Sequence, residues 1–197
     1  MHGDLYGVIL TIALIGTCAG VSLLFKGEVK RKIVHIGVSN FAFVYLYVFE
    51  SDTCPLIWLC IFVLINYVVA RKEGSTRYGT VLFPFSIIIL IISKMLGLGS
   101  ARDVAVATLA MGWGDGFAAL AGIRFGKTKM PMCRKKTVTG SAVVFFSVIL
   151  CTVFVGGKSL LSALAAAIAA VIAEAYTPYG LDNVTVPVAV FLCCALI

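Results

Sequence analysis

Apolar residues fall into eight runs separated by short polar connections, near 5–25, 33–49, 54–70, 81–98, 103–125, 140–156, 158–176 and 183–197. An α-helix needs roughly 17–25 apolar residues to cross a bilayer. Most of the runs meet that length, although the last is short and the fifth is interrupted by a glycine cluster. The pattern predicts an all-α integral membrane protein, a polytopic bundle of about 7–9 transmembrane helices. The longest polar connection is only about 126–139. Residues 1–197 therefore read as a single transmembrane catalytic domain with no separate soluble domain. The first run lacks a basic flank and a small-residue cleavage site, so it reads as a retained helix rather than a signal peptide.

Composition agrees with this pattern. The 197 residues are 61% hydrophobic and 13% charged, so the bilayer must serve as solvent for much of the side-chain surface. A net charge of +7 would ordinarily raise nucleic acid as a partner. Its placement argues against that. Of 16 Lys and Arg residues, all but Lys94, Arg102 and Lys158 lie in the loops at 26–32, 71–77 and 124–136. The positive-inside rule puts those loops in the cytosol and the N-terminus outside. The 174–183 connection shares the cytosolic face, where nucleotides are available. The seven cysteines include no CxxC spacing and read as free, inert thiols.

Within the fifth run stands Gly112-Trp113-Gly114-Asp115-Gly116. A carboxylate at the centre of a membrane helix costs roughly 2.5–3.5 kcal/mol on insertion scales, so Asp115 is expected to face protein or a water-filled cavity. Asp115, Ala119, Gly122 and Gly126 recur on one helical face, and small residues there permit close helix packing. A structural Asp satisfied by a buried partner is the bland alternative. The following loop carries Lys127, Lys129, Lys135 and Lys136, then Thr137, Gly140 and Ser141. Cations with backbone amides and hydroxyls form a plausible polyphosphate cradle, the alternative being an anchor for anionic lipid. A relaxed P-loop match at 121–128 is rejected, because a membrane helix and not a strand precedes it.

Two further clusters share that face. Arg31, His35 and Ser39 repeat every four residues at the entry of the second run, beside Lys32, and an imidazole one turn into a membrane requires a polar partner. Glu174 is in phase with Ala163, Ala167 and Ala170, and Asp182 and Asn183 open the last run, where one of them would serve as an ordinary cap. Carboxylates and amides near a basic loop match what a magnesium–nucleotide complex needs. Phosphoryl or nucleotidyl transfer to a substrate arriving through the membrane is the natural inference.

The ordered blocks Arg31-Lys32-x-x-His35, Tyr78-Gly79-Thr80 with Pro84, Gly114-Asp115 through Lys136-Thr137-x-x-Gly140-Ser141, and Glu174 with Gly180-x-Asp182-Asn183 resemble the family of dolichol kinase, phytol kinase and CTP-dependent diacylglycerol kinase, itself related to phosphatidate cytidylyltransferases. The resemblance implies transfer of the γ-phosphate of CTP to a membrane lipid alcohol, with Mg²⁺ as cofactor. On this reading Asp115, His35 and Lys136 are catalytic. Asp115 coordinates Mg²⁺ or acts as base, Glu174 and Asp182 complete the metal site, and His35 positions or deprotonates the alcohol. Arg31, Lys32, Lys127, Lys129, Lys135, Lys136, Thr137, Gly140, Ser141 and Asn183 hold the nucleotide. Thr139 stands where cytidylyltransferases usually carry an acidic residue, which disfavours that rival. A small ion- or proton-coupled transporter using Asp115 and Glu174 is the rival from another class.

Overall fold

The eight apolar runs all fold as helix in the computed structural model, which describes residues 2–72, 79–130, 136–177 and 180–197. In chain order the helices are α1 (His2–Ser22), α2 (Gly27–Val38), α3 (Phe41–Tyr47), α4 (Thr53–Lys72), α5 (Gly79–Met95), α6 (Ala101–Leu109), α7 (Gly116–Phe125), α8 (Val138–Leu150), α9 (Leu160–Tyr176) and α10 (Asp182–Leu196). Among the described residues there is no strand, only an isolated bridge between Lys129 and Thr137. The protein is an all-α membrane bundle. His2–Ser22, Thr53–Arg71, Ala101–Phe125 and Val138–Val155 are each long and apolar enough to cross a bilayer. The outer faces of α1 and α4 leave Leu5, Leu10, Ile61 and Leu64 exposed, as a lipid-facing surface should.

The second run is broken rather than continuous. Asn40 donates its side-chain amide to the carbonyls of Ile36 (3.1 Å) and Gly37 (2.9 Å), satisfying acceptors that the break between α2 and α3 releases. This lets the chain pass from α2 to α3 without orphaned backbone inside the membrane.

At the centre lies the rod formed by α6, a π-helical segment Ala110–Asp115, and α7. Val104, Ala105, Val106, Ala107 and Leu109 are fully buried. The π segment changes the rotational phase of the helix just before Asp115, a device common at functional sites. Gly112 within it and Gly116 just after it are required by packing. A Cβ on Gly112 would run into the Ser39 side chain, and one on Gly116 into the Ile36 side chain, so these side chains pack directly on the backbone of the rod. The prediction is direct: Gly112→Ala destabilises the bundle by about 1–3 kcal/mol. Because the collision is with the Ser39 Cβ, the double variant Gly112→Ala/Ser39→Gly regains the lost thermal midpoint, whereas Ser39→Ala does not.

The two ends of the bundle differ in charge. At one end Lys94 pairs with Asp52 (2.5 Å) and Lys158 with Asp103 (3.3 Å), while Asp4 accepts the backbone amides of Glu50 and Ser51. Both of these lysines are matched by carboxylates. The surplus positive charge gathers at the other end, where α2, α5, α8 and α10 begin and α7 and α9 finish.

Candidate active site

A cavity of about 820 Å³ opens at that second end. Its depth is set by the close contact of α2 with the rod, which brings Asp115 against α2. Lys32, buried, donates to Asp115 Oδ2, and His35 Nε2 lies 4.0 Å from the same oxygen. The other oxygen, Oδ1, faces Lys136 Nζ at 3.9 Å. Asp115 thus has one oxygen engaged by α2 and one turned toward the loop cation. The His35 ring packs on Phe83 of α5 with centroids 4.4 Å apart, and among the described residues its Nε2 has no hydrogen-bond partner.

Lys136 holds the opposite wall together. Its ammonium donates to Glu174 (2.8 Å) and Asp182 (3.4 Å) as well as facing Asp115, so carboxylates from α9, α10 and the central rod converge on one cation. Glu174 reaches this point because Ala163, Ala167 and Ala170, all fully buried, keep its face of α9 inside the bundle. Burial alone would lower the Lys136 ammonium, but Glu174, Asp115 and Asp182 together hold it above its ordinary value. Among the described residues no three Asp, Glu, His or Cys side chains already form a cation cage; the carboxylates are gathered around an ammonium instead.

Thr137 and Gly140 prove to be architectural. Thr137 is the N-cap of α8, its hydroxyl accepting from the Gly140 amide (3.1 Å). Gly140 lies against the Ala118 carbonyl, 3.2 Å from where a Cβ would stand, and Gly122 and Gly126 fit beneath Thr137. The amides of Val138 and Ser141 are bonded to Thr128 and Thr137 carbonyls. The Gly140 and Ser141 amides expected for a phosphate cradle are therefore already bonded within the start of α8. The positive wall consists of side chains, with Lys129 and Lys136 beside the start of α8. Asn183 is similarly committed, its amide donating to the Gly180 carbonyl (2.9 Å) while Gly180 turns with φ of 81°.

Of the residues singled out in the sequence, the cavity brings together Arg31, Lys32, Asp115, Lys129, Lys136, Thr137, Gly140, Ser141, Glu174, Asp182 and Asn183. His35 sits directly behind Asp115. Lys127 is exposed and does not line the cavity; Lys135 and Tyr78 fall outside the described residues.

Comparison with known proteins gives two relatives. A phytol kinase of Synechocystis sp. is 28% identical over 196 residues, covering 91% of this chain and 82% of that protein. A probable chloroplastic phytol kinase of Triticum aestivum is 26% identical over 141 residues, covering 63% of this chain and 47% of the wheat protein. The chain is related to the phytol kinases. No family model and no solved structure matches. With 91% of the chain matched to the Synechocystis phytol kinase, the likeness extends over the bundle rather than one motif.

Sequence reasoning missed two features of this phytol-kinase relative. Lys32, and not the neighbouring Arg31, is the α2 cation that meets Asp115. Arg31 instead pairs with Glu28 one turn away, at the outer part of the cavity. The i, i+3 spacing of Glu28 and Arg31 was the available signal.

Proposed function

We propose that this protein is a CTP-dependent lipid-alcohol kinase, transferring the γ-phosphoryl group of CTP to the hydroxyl of a membrane alcohol of the phytol or polyprenol type and releasing CDP. The observation that carries the reading is the juxtaposition of a membrane-buried carboxylate, Asp115, with a cationic wall at the mouth of the same cavity. Phosphoryl transfer needs chiefly positioning and electrostatic stabilisation, and this arrangement can supply both. The preference for CTP, and the cytosolic side for the cavity, rest on the sequence resemblance and on the loop charges.

In this mechanism Lys129, Lys136 and Arg31 bind polyphosphate oxygens. Asp115 Oδ1, the oxygen turned toward Lys136, receives the acceptor hydroxyl and takes its proton or orients it. Lys32 neutralises the second oxygen, and His35 Nε2 stands 4.0 Å from that oxygen, where it can help position the alcohol. The donor set suits magnesium: Asp115, Glu174 and Asp182 are hard-oxygen ligands that already converge on one positive centre, and this ion is commonly held by one or two carboxylates plus phosphate oxygens. When bound, it would neutralise charge on the transferring phosphoryl group.

The test is incubation of purified protein in bilayers with γ-labelled CTP or ATP and a panel of phytol, polyprenol and diacylglycerol. The expected result is a labelled alcohol phosphate and unlabelled CDP. Pyrophosphate with a CDP-lipid product would assign the protein to cytidylyl transfer, and no nucleotide-dependent thermal shift would overturn the nucleotide site altogether.

A further inference from the structure

The cavity has a second face that phosphate binding does not use. Its floor along α7 is Ala118, Ala119, Gly122 and Ile123, with no polar side chain among them. Ile123 both lines the cavity and is 61% exposed, so the cavity reaches the outer surface of the bundle at that residue. That surface belongs to the membrane. Ile123 lies inside the apolar span Ala101–Phe125, and Phe117 and Phe125 on either side of it are exposed as well. Across the opening stand Glu28 and Arg31 of α2, half-exposed and paired with each other. Helices α2 and α7 therefore form a seam, closed at Gly112 and Gly116 and bordering the cavity one to two turns beyond.

We infer that this seam between α2 and α7 is the acceptor groove, through which one apolar chain enters from the bilayer and lies along Ala119–Gly122–Ile123 with its hydroxyl at Asp115. The inference rests on the kinase reading and adds to it the surface that holds the acceptor chain. Along α7 the lining residues Ala118, Ala119 and Gly122 offer no side chain beyond Cβ until Ile123. A second acyl chain would have to lie over the Glu28–Arg31 ion pair, at the desolvation cost of burying charge under hydrocarbon. The groove thus favours a single-chain alcohol, such as an isoprenoid, over a diacylglycerol. The apolar hollow between α1 and α4, lined by Val8, Cys54, Trp58 and Ile61, includes none of the site residues.

The experiment is photolabelling of the unmodified full-length protein with a long-chain primary alcohol carrying a mid-chain diazirine. The expected label maps to α7 at 119–125 and to the first turns of α2, and is competed by unlabelled alcohol but not by diacylglycerol. Ala119→Trp and, at the exposed rim, Ile123→Trp each raise KM for the alcohol about tenfold with KM for nucleotide unchanged, the signature of lost acceptor binding. Label on the α1–α4 hollow, label that no alcohol competes, or equal competition by diacylglycerol overturns the groove. Phosphoryl transfer is scored in a separate arm. Label in the seam without transfer from any nucleotide overturns the kinase reading and leaves the groove standing; transfer with label elsewhere overturns the groove alone.

Discussion

Asp115→Asn is expected to lower turnover by at least about a hundredfold, the range for loss of a positioned acid–base group. The same substitution also removes the partner of a buried cation. Lys32 is 4% exposed, and its ammonium donates to Asp115 Oδ2. Breaking one side of such a pair costs as much as about 3–5 kcal/mol, with the lower end expected here because the cavity admits water beside Asp115. Loss of activity alone would therefore be ambiguous between chemistry and misfolding. The double variant Lys32→Met/Asp115→Asn separates them. Replacing both charges removes the unpaired ammonium, so the thermal midpoint recovers toward that of the unmodified protein. Activity does not recover, because the amide that replaces the carboxylate facing Lys136 carries no charge and cannot take the acceptor's proton. A double variant that regains both stability and turnover would assign Asp115 to the fold and move the chemistry elsewhere.

Much of this arrangement was legible in the sequence, for identifiable reasons. Span positions follow from apolar run length, which the bilayer enforces residue by residue. Asp115 and Glu174 declared themselves as charges in apolar runs, each in phase with small residues that the structure buries or places on the cavity wall. The choice between Arg31 and Lys32 was not legible. Arg31, His35 and Ser39 share a face at four-residue spacing, but Lys32, His35 and Ser39 share one equally well at three and four. What decides is the contact of Gly112 with Ser39 and of Gly116 with Ile36, together with the π segment that turns Asp115 toward α2. Both are tertiary facts without a local signature. At Thr137–Ser141 the fold adds a duty the spacing does not reveal: Thr137 caps α8, and its hydroxyl takes the Gly140 amide. A capping sequence and a phosphate-binding sequence use the same residue types.

Lys136→Met is expected to lower turnover roughly 10²–10³-fold and to abolish the nucleotide-dependent thermal shift, the scale seen when one preorganised charge-stabilising donor is removed. Lys127 provides the control. It carries the same charge in the same loop but is exposed and does not line the cavity, so Lys127→Met leaves turnover within about twofold, as for other screened surface charges. If the loop acted only as a diffuse positive field for anionic lipid, the two variants would fall together. Lys136→Arg keeps the charge but replaces a compact ammonium with a planar fork, which cannot occupy the point where Glu174, Asp182 and Asp115 approach to 2.8, 3.4 and 3.9 Å; it rescues only partly. The pH dependence follows from the raised ammonium. A group whose folded value lies above its unfolded one contributes its full stabilisation below the ordinary lysine value of about 10.4, and loses it only as pH climbs through the raised value. The difference in thermal midpoint between the unmodified protein and Lys136→Met should therefore stay constant between about pH 7 and pH 9. A difference that shrinks within that window would mean that Lys136 is not held by the three carboxylates in the folded bundle.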